Sequence, residues 1–272
     1  MNFQAYGRSD FGRGRAANRD RYFVDPTRHF AILCGGSDHT CGGEVAADMA
    51  VHIVRDALRE MRPLLHELYD QPLEGCYFEE IERLLRGAIA RANETIYERG
   101  RRNPELAAMC SSLIALQIVG RHAFLTHVGG GHGFLARGSG TLRLTDGRTL
   151  SPAFPRVSDG EAHMLGVSSV LRRAVGQSPG IDVDFRVVEL EHGDRLVLCS
   201  DGISDFCDVA SVVGSVPNSA PFAAIAERLV ELALERSDGH SVTALVIELR
   251  DEAAILVGSG RHRGGPYASD LI

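Results

Sequence analysis

Two long amphipathic segments lie between groups of strand-like segments, and this order restricts the fold more than any other feature of the sequence. In the first, from about Glu44 to Leu68, apolar residues recur every three or four positions, as on one face of a helix. In the second, apolar residues recur in the same way from Phe78 to Ile96, and an arginine-rich run ends the segment before Pro104. The sequence therefore predicts two consecutive helices.

Strand-like segments precede and follow this helical pair. The apolar run HFAILC ends at Cys34, short turns within residues 111–145 indicate an antiparallel meander, and the runs DFRVVEL, DRLVLCS and SVTALVIELR follow. Helical turns are predicted from Asp201 to about Val213 and a helix from Ala220 to Arg236, whereas residues 7–21 and 146–181 are predicted to be mainly loops. Separate helical and antiparallel segments are typical of an α+β fold with sheets packed in layers and helices outside.

Composition narrows the class of protein. The net charge of -7 and the pI of about 5.9 argue against a nucleic-acid partner, because phosphate backbones require clustered basic residues. The sequence contains neither a signal-peptide pattern nor an apolar run of about 18 residues, so we expect a cytoplasmic protein without a membrane partner. The six cysteines lack CxxC spacing. Residues 1–250 are predicted to form one domain, and residues 251–272, rich in Gly and Arg, a C-terminal tail.

Four stretches carry a resemblance to a known family: SDFGRGRAANRDRY (residues 9–22), AILCGGSDHTCGGEVA (31–46), HVGGGHGFLARGSGTLRLT (127–145) and GDRLVLCSDGISDF (193–206). They resemble, in order, the opening Ser-Asp pattern, the Asp-Gly-Met-Gly-Gly turn, the Gly-Asp-Ser-Arg motif and the Ser-Asp-Gly motif of the metal-dependent PPM (type 2C) serine/threonine protein phosphatases. Order and spacing agree over roughly residues 3–250. Each match alone is weak, but four in sequence identify the fold.

The resemblance implies a four-layer sandwich of two antiparallel sheets flanked by helices. It also implies two Mg or Mn ions held by aspartates at one edge, with a metal-bridging water that attacks phosphoserine or phosphothreonine. Asp201 matches a metal-binding aspartate, and Arg15 matches the arginine that clamps the substrate phosphate through its bidentate fork. Asn18 and Asp20 match structural positions, and Arg19 stands where several relatives have Glu or Gln.

The residue types themselves leave alternatives open at these positions. An aspartate at a strand-to-helix junction is often a helix N-cap, so Asp201 has a structural interpretation as well. Arg15 is equally well explained as a solvated charge on a loop. Asp194 is predicted to be a turn residue and not a ligand.

Several positions of the family's metal site lack a carboxylate in this sequence. The degenerate positions are Gly35, which stands at the metal-bridging aspartate, its neighbour Gly36, Gly130 in the Gly-Asp-Ser-Arg motif, and His240 at the last metal-binding aspartate. A glycine has no side chain to bridge two ions, and one retained aspartate cannot hold two divalent ions against their hydration. The sequence therefore predicts a pseudophosphatase without a normal binuclear centre, with no ion or only weakly bound Mn or Mg.

Other side chains near these positions are candidate ligands: Asp38, His39, His132, Asp238 and His240. The three histidines together with Asp201 would form a nitrogen-rich set that suits zinc or another transition metal better than magnesium. Ordinary surface or hydrogen-bonding histidines explain the same residues equally well.

Three functions follow from these observations. The first is an inactive phosphatase-like module that binds a phosphoprotein or a regulatory protein partner, using Arg15 and the empty cleft. The second is an active phosphatase with an altered site, in which Asp38, Asp201 and Asp238 or the histidines recruit a metal. The third is a structural subunit of a larger assembly. The fold alone does not choose among them, because function depends on the site.

Overall fold

The structure is a computed structural model that describes residues 2–14, 17–37, 40–61, 75–145, 173–216, 220–236 and 239–250. The ten strands of these residues are β1 (Asn2–Asp10), β2 (Asp20–Asp25), β3 (Phe30–Gly36), β4 (Ser111–Val119), β5 (His122–Val128), β6 (His132–Arg137), β7 (Gly140–Arg143), β8 (Asp184–Glu189), β9 (Arg195–Cys199) and β10 (Val242–Arg250). The α-helices are α1 (Gly43–Glu60), α2 (Gly75–Arg102), α3 (Asp201–Ser204), α4 (Val209–Ser215) and α5 (Ala223–Arg236).

The strands form two five-stranded antiparallel sheets. The first sheet has the order β1-β10-β9-β6-β7, and the second has the order β2-β3-β4-β5-β8. The second sheet is almost a simple meander, whereas the first joins the first and last described strands through the β1–β10 pair. The predicted α+β class is confirmed.

Three hydrophobic cores define four layers. Alternate residues of β3 point to opposite faces of their sheet, so Leu33 packs between the two sheets while Ile32 packs beneath α1 and α2. On the other side of the molecule, Val197 and Val246 of the first sheet pack against α3, α4 and α5. The order helix, sheet, sheet, helix is the sandwich that the family resemblance implied.

The approach of α1 to the end of β3 depends on two glycines. A Cβ at Gly36 would lie 2.4 Å from the backbone oxygen of Gly43, the first residue of α1. A Cβ at Gly43 would lie 2.4 Å from the backbone oxygen of Ser37. Because a side chain fits at neither position, the glycine-rich turn brings the helix start directly onto the strand end.

The prediction of a loop over residues 7–21 was wrong at both ends. Residues 7–10 belong to β1, which pairs with β10 along its whole length, and residues 20 and 21 belong to β2. At the first end the prediction failed because Gly7, a residue type common in loops, lies inside a strand here. A Cβ at Gly7 would lie 2.7 Å from Leu245 Cδ2 and 2.9 Å from the ring of Tyr22, so glycine there makes room for two larger side chains.

Other element boundaries differ less. Residues 62–68, the end of the first predicted helix, and 146–172, most of the long predicted loop, lie outside the described residues. The helix expected from Ala220 begins at Ala223, after Pro221. The tail 251–272 also lies outside the described residues. In the described part of the chain, no helix combines the length and the apolar character needed to cross a membrane.

Candidate functional site

The end of β3 meets the start of α3 at one edge of the sandwich. Gly35 on β3 is paired with Asp20 on β2 and with Ser112 on β4. A Cβ added at Gly35 would lie 3.3 Å from Asp20 Oδ1 and 3.6 Å from Asp201 Oδ1, with Ser112 Oγ at 2.8 Å. The position predicted for a bridging carboxylate is therefore the point on which two carboxylates converge, and it carries no side chain.

Asp20 is held by a buried hydrogen-bond network. The residue is only 5% exposed, and its Oδ2 accepts a hydrogen bond from the hydroxyl of Thr243 at 2.7 Å. The Thr243 hydroxyl also lies 2.7 Å from Ser9 Oγ, which accepts from the amide of Asn18 at 2.8 Å, while Asn18 Oδ1 accepts from the Asp20 backbone N–H at 2.9 Å. The network fixes the carboxylate and joins β2 of one sheet to β10 of the other.

Asp20 belongs to the candidate site, although the sequence predicted only a structural role for it. The Asn-x-Asp pattern marked it as structural, and its hydrogen bonds agree with that role. The structure also places its other oxygen, Oδ1, beside Gly35. Only the pairing of β2 with β3 brings these residues together, so the signal in the sequence was the motif itself and not its geometry.

Asp201 is the first residue of α3, and Ser200 occupies the N-cap position. The structural alternative of Asp201 as the N-cap is therefore not what the structure has, although its Oδ1 accepts a hydrogen bond from the N–H of Gly202 at 3.0 Å. A Cβ at Gly202 would lie 2.0 Å from the backbone oxygen of Ser241, so the glycine lets the helix start press against the strand beside it. Ser200 Oγ accepts from the Thr243 N–H at 3.0 Å and fixes the same junction.

Asp194 lies at the other end of β9 and acts in a turn, as predicted. Its side chain is buried, and its two oxygens accept a bidentate pair of hydrogen bonds from Arg137 at 2.9 and 2.7 Å. It also accepts from the backbone N–H of Glu191 at 2.8 Å. These bonds satisfy the carboxylate within the turn.

A cationic side chain lies at the turn between β3 and α1. Arg19 directly precedes Asp20, and its Nη1 donates to the backbone oxygen of Ser37 at 2.8 Å, while its Nε lies 3.9 Å from Glu44 Oε2. Its guanidinium thus lies at the start of α1, next to the turn after β3. Near the same strand end, burial raises the pKa of the Cys34 thiol well above its usual range, and the charge of Asp20 raises it further.

The remaining degenerate positions border the same edge. The backbone oxygen of Gly130 accepts a hydrogen bond of 3.4 Å from Ser204 Oγ at the end of α3. The ring of His240 lies against that of Phe206, just after α3, with 5.1 Å between the ring centres. Gly35, Gly130 and His240 are thus distributed around Asp201 and its helix.

His132 has a different environment. It is buried, its Nδ1 lies 3.1 Å from Thr145 Oγ1, and Arg143 Nη2 lies 2.9 and 3.0 Å from its two ring nitrogens. A guanidinium so close to the ring disfavours a second cation there. Within the described ranges, no group of three or more His, Cys, Asp or Glu side chains is arranged to hold a metal ion. His132, His240 and Asp201 therefore give the zinc hypothesis no support.

Four candidate residues lie outside the described part of the chain: Arg15, Asp38, His39 and Asp238. Their roles remain predictions from the sequence.

The described residues do not fit a bridged pair of Mg or Mn ions. Asp20 and Asp201 are the two carboxylates at the position, and each has one oxygen that accepts a hydrogen bond, from Thr243 and Gly202 respectively. Each hard divalent cation needs about six oxygen ligands, and a pair needs a group between them. Gly35 supplies no such group.

The four-layer sandwich, the candidate site at its edge and the retained aspartates at that site are together typical of a metal-dependent phosphatase fold. The sequence model of the protein phosphatase 2C family matches residues 13–249, and the chain belongs to this family. The serine/threonine phosphatase stp of Listeria monocytogenes is 26% identical over 247 residues, which cover 89% of this chain and 94% of that protein. The serine/threonine protein phosphatase PstP of Mycobacterium tuberculosis is 28% identical over 247 residues, covering 90% of this chain and 44% of PstP.

A solved structure gives the same result for the fold. The catalytic domain of PstP in complex with two manganese ions superimposes with a TM-score of 0.71 and 26% identity, covering 92% of this chain and 99% of that domain. The family and the four-layer fold that the sequence predicted are confirmed. The two manganese ions are a property of that relative.

Proposed function

We propose that this protein is a pseudophosphatase of the protein phosphatase 2C family, catalytically inactive or impaired, which binds a phosphoprotein or regulatory protein partner. The observation that supports the proposal is the position of Gly35 between Asp20 and Asp201, with no side chain to bridge two ions. Without a bridged pair, the site lacks the nucleophilic water and the charge neutralisation that two-metal phosphate hydrolysis requires.

Charge balance supports the same proposal. An aspartate at position 35 would bring a third carboxylate within a few ångströms of Asp20 and Asp201, and only bound cations would offset the repulsion. Glycine at this position removes one negative charge, and Arg19 adds a positive charge at the adjacent turn. Both differences from the family pattern lower the need for a metal ion.

The proposed partner follows from the family, whose relatives are serine/threonine phosphatases. Arg15 is the predicted side chain that would bind a phosphoryl group of this partner, because guanidinium pairs with phosphate in a bidentate fashion. Binding without hydrolysis would make the protein a reader or a competitor of phosphorylated segments.

A second function is favoured by the retained carboxylates. Asp20 and Asp201 still converge on one point, and together with backbone oxygens and water they offer a site for a single ion. In that case the protein is an active phosphoserine or phosphothreonine hydrolase with a non-standard metal site.

Metal-binding calorimetry with Mn separates the two. We expect no tight binding by the natural protein and measurable binding by a variant carrying Gly35→Asp, Gly130→Asp and His240→Asp. Because Ser112 Oγ lies 2.8 Å from the Cβ position at Gly35, the variant is also made with Ser112→Ala. Gly87→Asp is the matched control, because a Cβ there meets no atom within 4 Å in the part of the chain that the structure describes. Tight Mn binding by the natural protein that Asp201→Ala abolishes would refute the proposal.

A further inference from the structure

An open groove lies on the outer face of the first sheet, far from the candidate site along β9. It has a volume of about 200 Å³ and runs between the β6–β7 hairpin and α4. Val213, Val216 and Ile225 form an apolar wall, and Arg195, at the opposite end of β9 from Asp201, lies in its lining. A cavity of about 150 Å³ holds a benzene molecule, so this groove has room for a branched aliphatic side chain.

Glycines keep the groove open. A Cβ at Gly138, Gly193 or Gly214 would meet no heavy atom of the described residues within 4 Å. Gly138 and Gly193 have φ values of 58° and 83°, which turns require. Gly214 has no such requirement, since it lies in α4, where glycine is less favourable than alanine. Neither the backbone conformation nor crowding therefore explains why glycine is present at position 214.

The last described strand, β10, ends beside this groove. On β10, Glu248 is paired with Arg195, and Arg195 Nε donates to Glu248 Oε1 at 2.9 Å, with the two side chains 6% and 5% exposed. Two residues further on, the same register brings Arg250, the last residue of β10, level with Gly193 at the groove. The chain that continues from Arg250 therefore starts next to the groove.

The continuing sequence contains a suitable occupant. After Asp251 and Glu252 comes the apolar run AAILV, residues 253–257, within an otherwise polar and glycine-rich segment. In the sheet order β10-β9-β6, the groove is about two strand spacings, or about 10 Å, from the end of β10. Three extended residues span about 10 Å. We propose that residues 253–257 bind in this groove, with Ile255 or Leu256 filling it.

Hydrogen exchange with mass spectrometry on the full chain tests the proposal. We expect amides of residues 253–257 to exchange at least about tenfold more slowly than those of residues 260–270. Gly214→Leu, which fills the groove from α4, should remove this protection, whereas Gly87→Leu, at an equally open helical glycine of α2, should not. Equal exchange along residues 253–270 in the natural protein would overturn the proposal.

A second variant avoids any effect on folding of the core. Leu256→Asp together with Ile255→Asp alters only the proposed occupant and should raise exchange in α4 and the β6–β7 hairpin. Unchanged exchange there would also contradict the proposal. Because none of these measurements depends on metal or turnover, their outcome is independent of the proposed function.

Discussion

Two carboxylates, Asp20 and Asp201, face a backbone position without a side chain. Their geometry is fixed by neighbours: Thr243 bonds to Asp20, and the N–H of Gly202 bonds to Asp201. The site therefore keeps these two negatively charged side chains and lacks the residue that would bridge two cations. The side chain missing at position 35 is therefore central to the proposed difference between this protein and a hydrolase, together with the changes at Gly130 and His240.

The sequence motifs identified Gly35 and Asp201 as positions of interest, and the structure brings the two together. The sequence did not reveal that Asp20 shares the site, because its orientation depends on a hydrogen bond from Thr243, more than 200 residues away in the chain. The sequence also did not reveal that the ring of His132 lies within hydrogen-bonding distance of Arg143 and Thr145. Motifs predict which residues lie near a site, whereas side-chain partners follow from tertiary packing.

Asp25 gives a prediction at the residue scale. Burial tends to raise its pKa, but hydrogen bonds from Thr27 and Arg28 and the charge of Arg28 outweigh burial, and the pKa is lowered. Asp25→Asn should therefore lower the free energy of unfolding at pH 7 by about 2 kcal/mol. A lowered pKa means that the stabilisation is full above the unfolded-state pKa of about 3.9 and is lost as pH falls through the folded-state pKa.

Urea unfolding at several pH values measures this effect. The difference between Asp25→Asn and the natural protein should shrink as pH falls below about 4. Asp182→Asn is the control, because Asp182 also pairs with an arginine but its side chain is 83% exposed. A loss for Asp25→Asn that is the same at every pH would show that shape, and not charge, is responsible.

At the scale of elements, periodicity predicted the helices and most strands. α1 and α2 were predictable because their apolar faces repeat over several turns, and β3 because every position from Phe30 to Cys34 is apolar. β1 was missed in part, since a polar strand containing Gly7 has no signal of its own. Its partner β10 lies more than 200 residues away in the chain, so the local sequence does not predict the pairing.

Asn93 connects α2 to residues 176–178 by hydrogen bonds. It is 1% exposed, its Oδ1 accepts from the Gly176 N–H at 2.8 Å, and its Nδ2 donates to the backbone oxygen of Ser178 at 2.9 Å. Asn93→Ala would leave both backbone groups without this partner and should lower the free energy of unfolding by about 2–3 kcal/mol. Glu94→Ala, on the exposed side of the same helix, should change it by less than about 0.5 kcal/mol.

Thermal or urea denaturation of the two variants measures the difference. Equal stability of Asn93→Ala and Glu94→Ala would contradict the assigned role of the Asn93 amide.

At the scale of the whole molecule, the two sheets meet at the site through side chains of the protein itself. The hydroxyl of Thr243 on one sheet bonds to Asp20 on the other, and Ser9 and Asn18 complete the connection. The sandwich of this protein therefore has an internal link across the edge that carries the candidate site. The proposed binding function depends on this sandwich and not on catalysis.

The most direct test of this account is hydrolysis of a phosphothreonine peptide in the presence of Mn and Mg. The account predicts turnover no higher in the natural protein than in Asp201→Ala, and a gain of Mn-dependent turnover when Gly35→Asp is combined with Gly130→Asp and His240→Asp. Metal-dependent turnover by the natural protein that Asp201→Ala abolishes would contradict it and establish the protein as an active phosphatase.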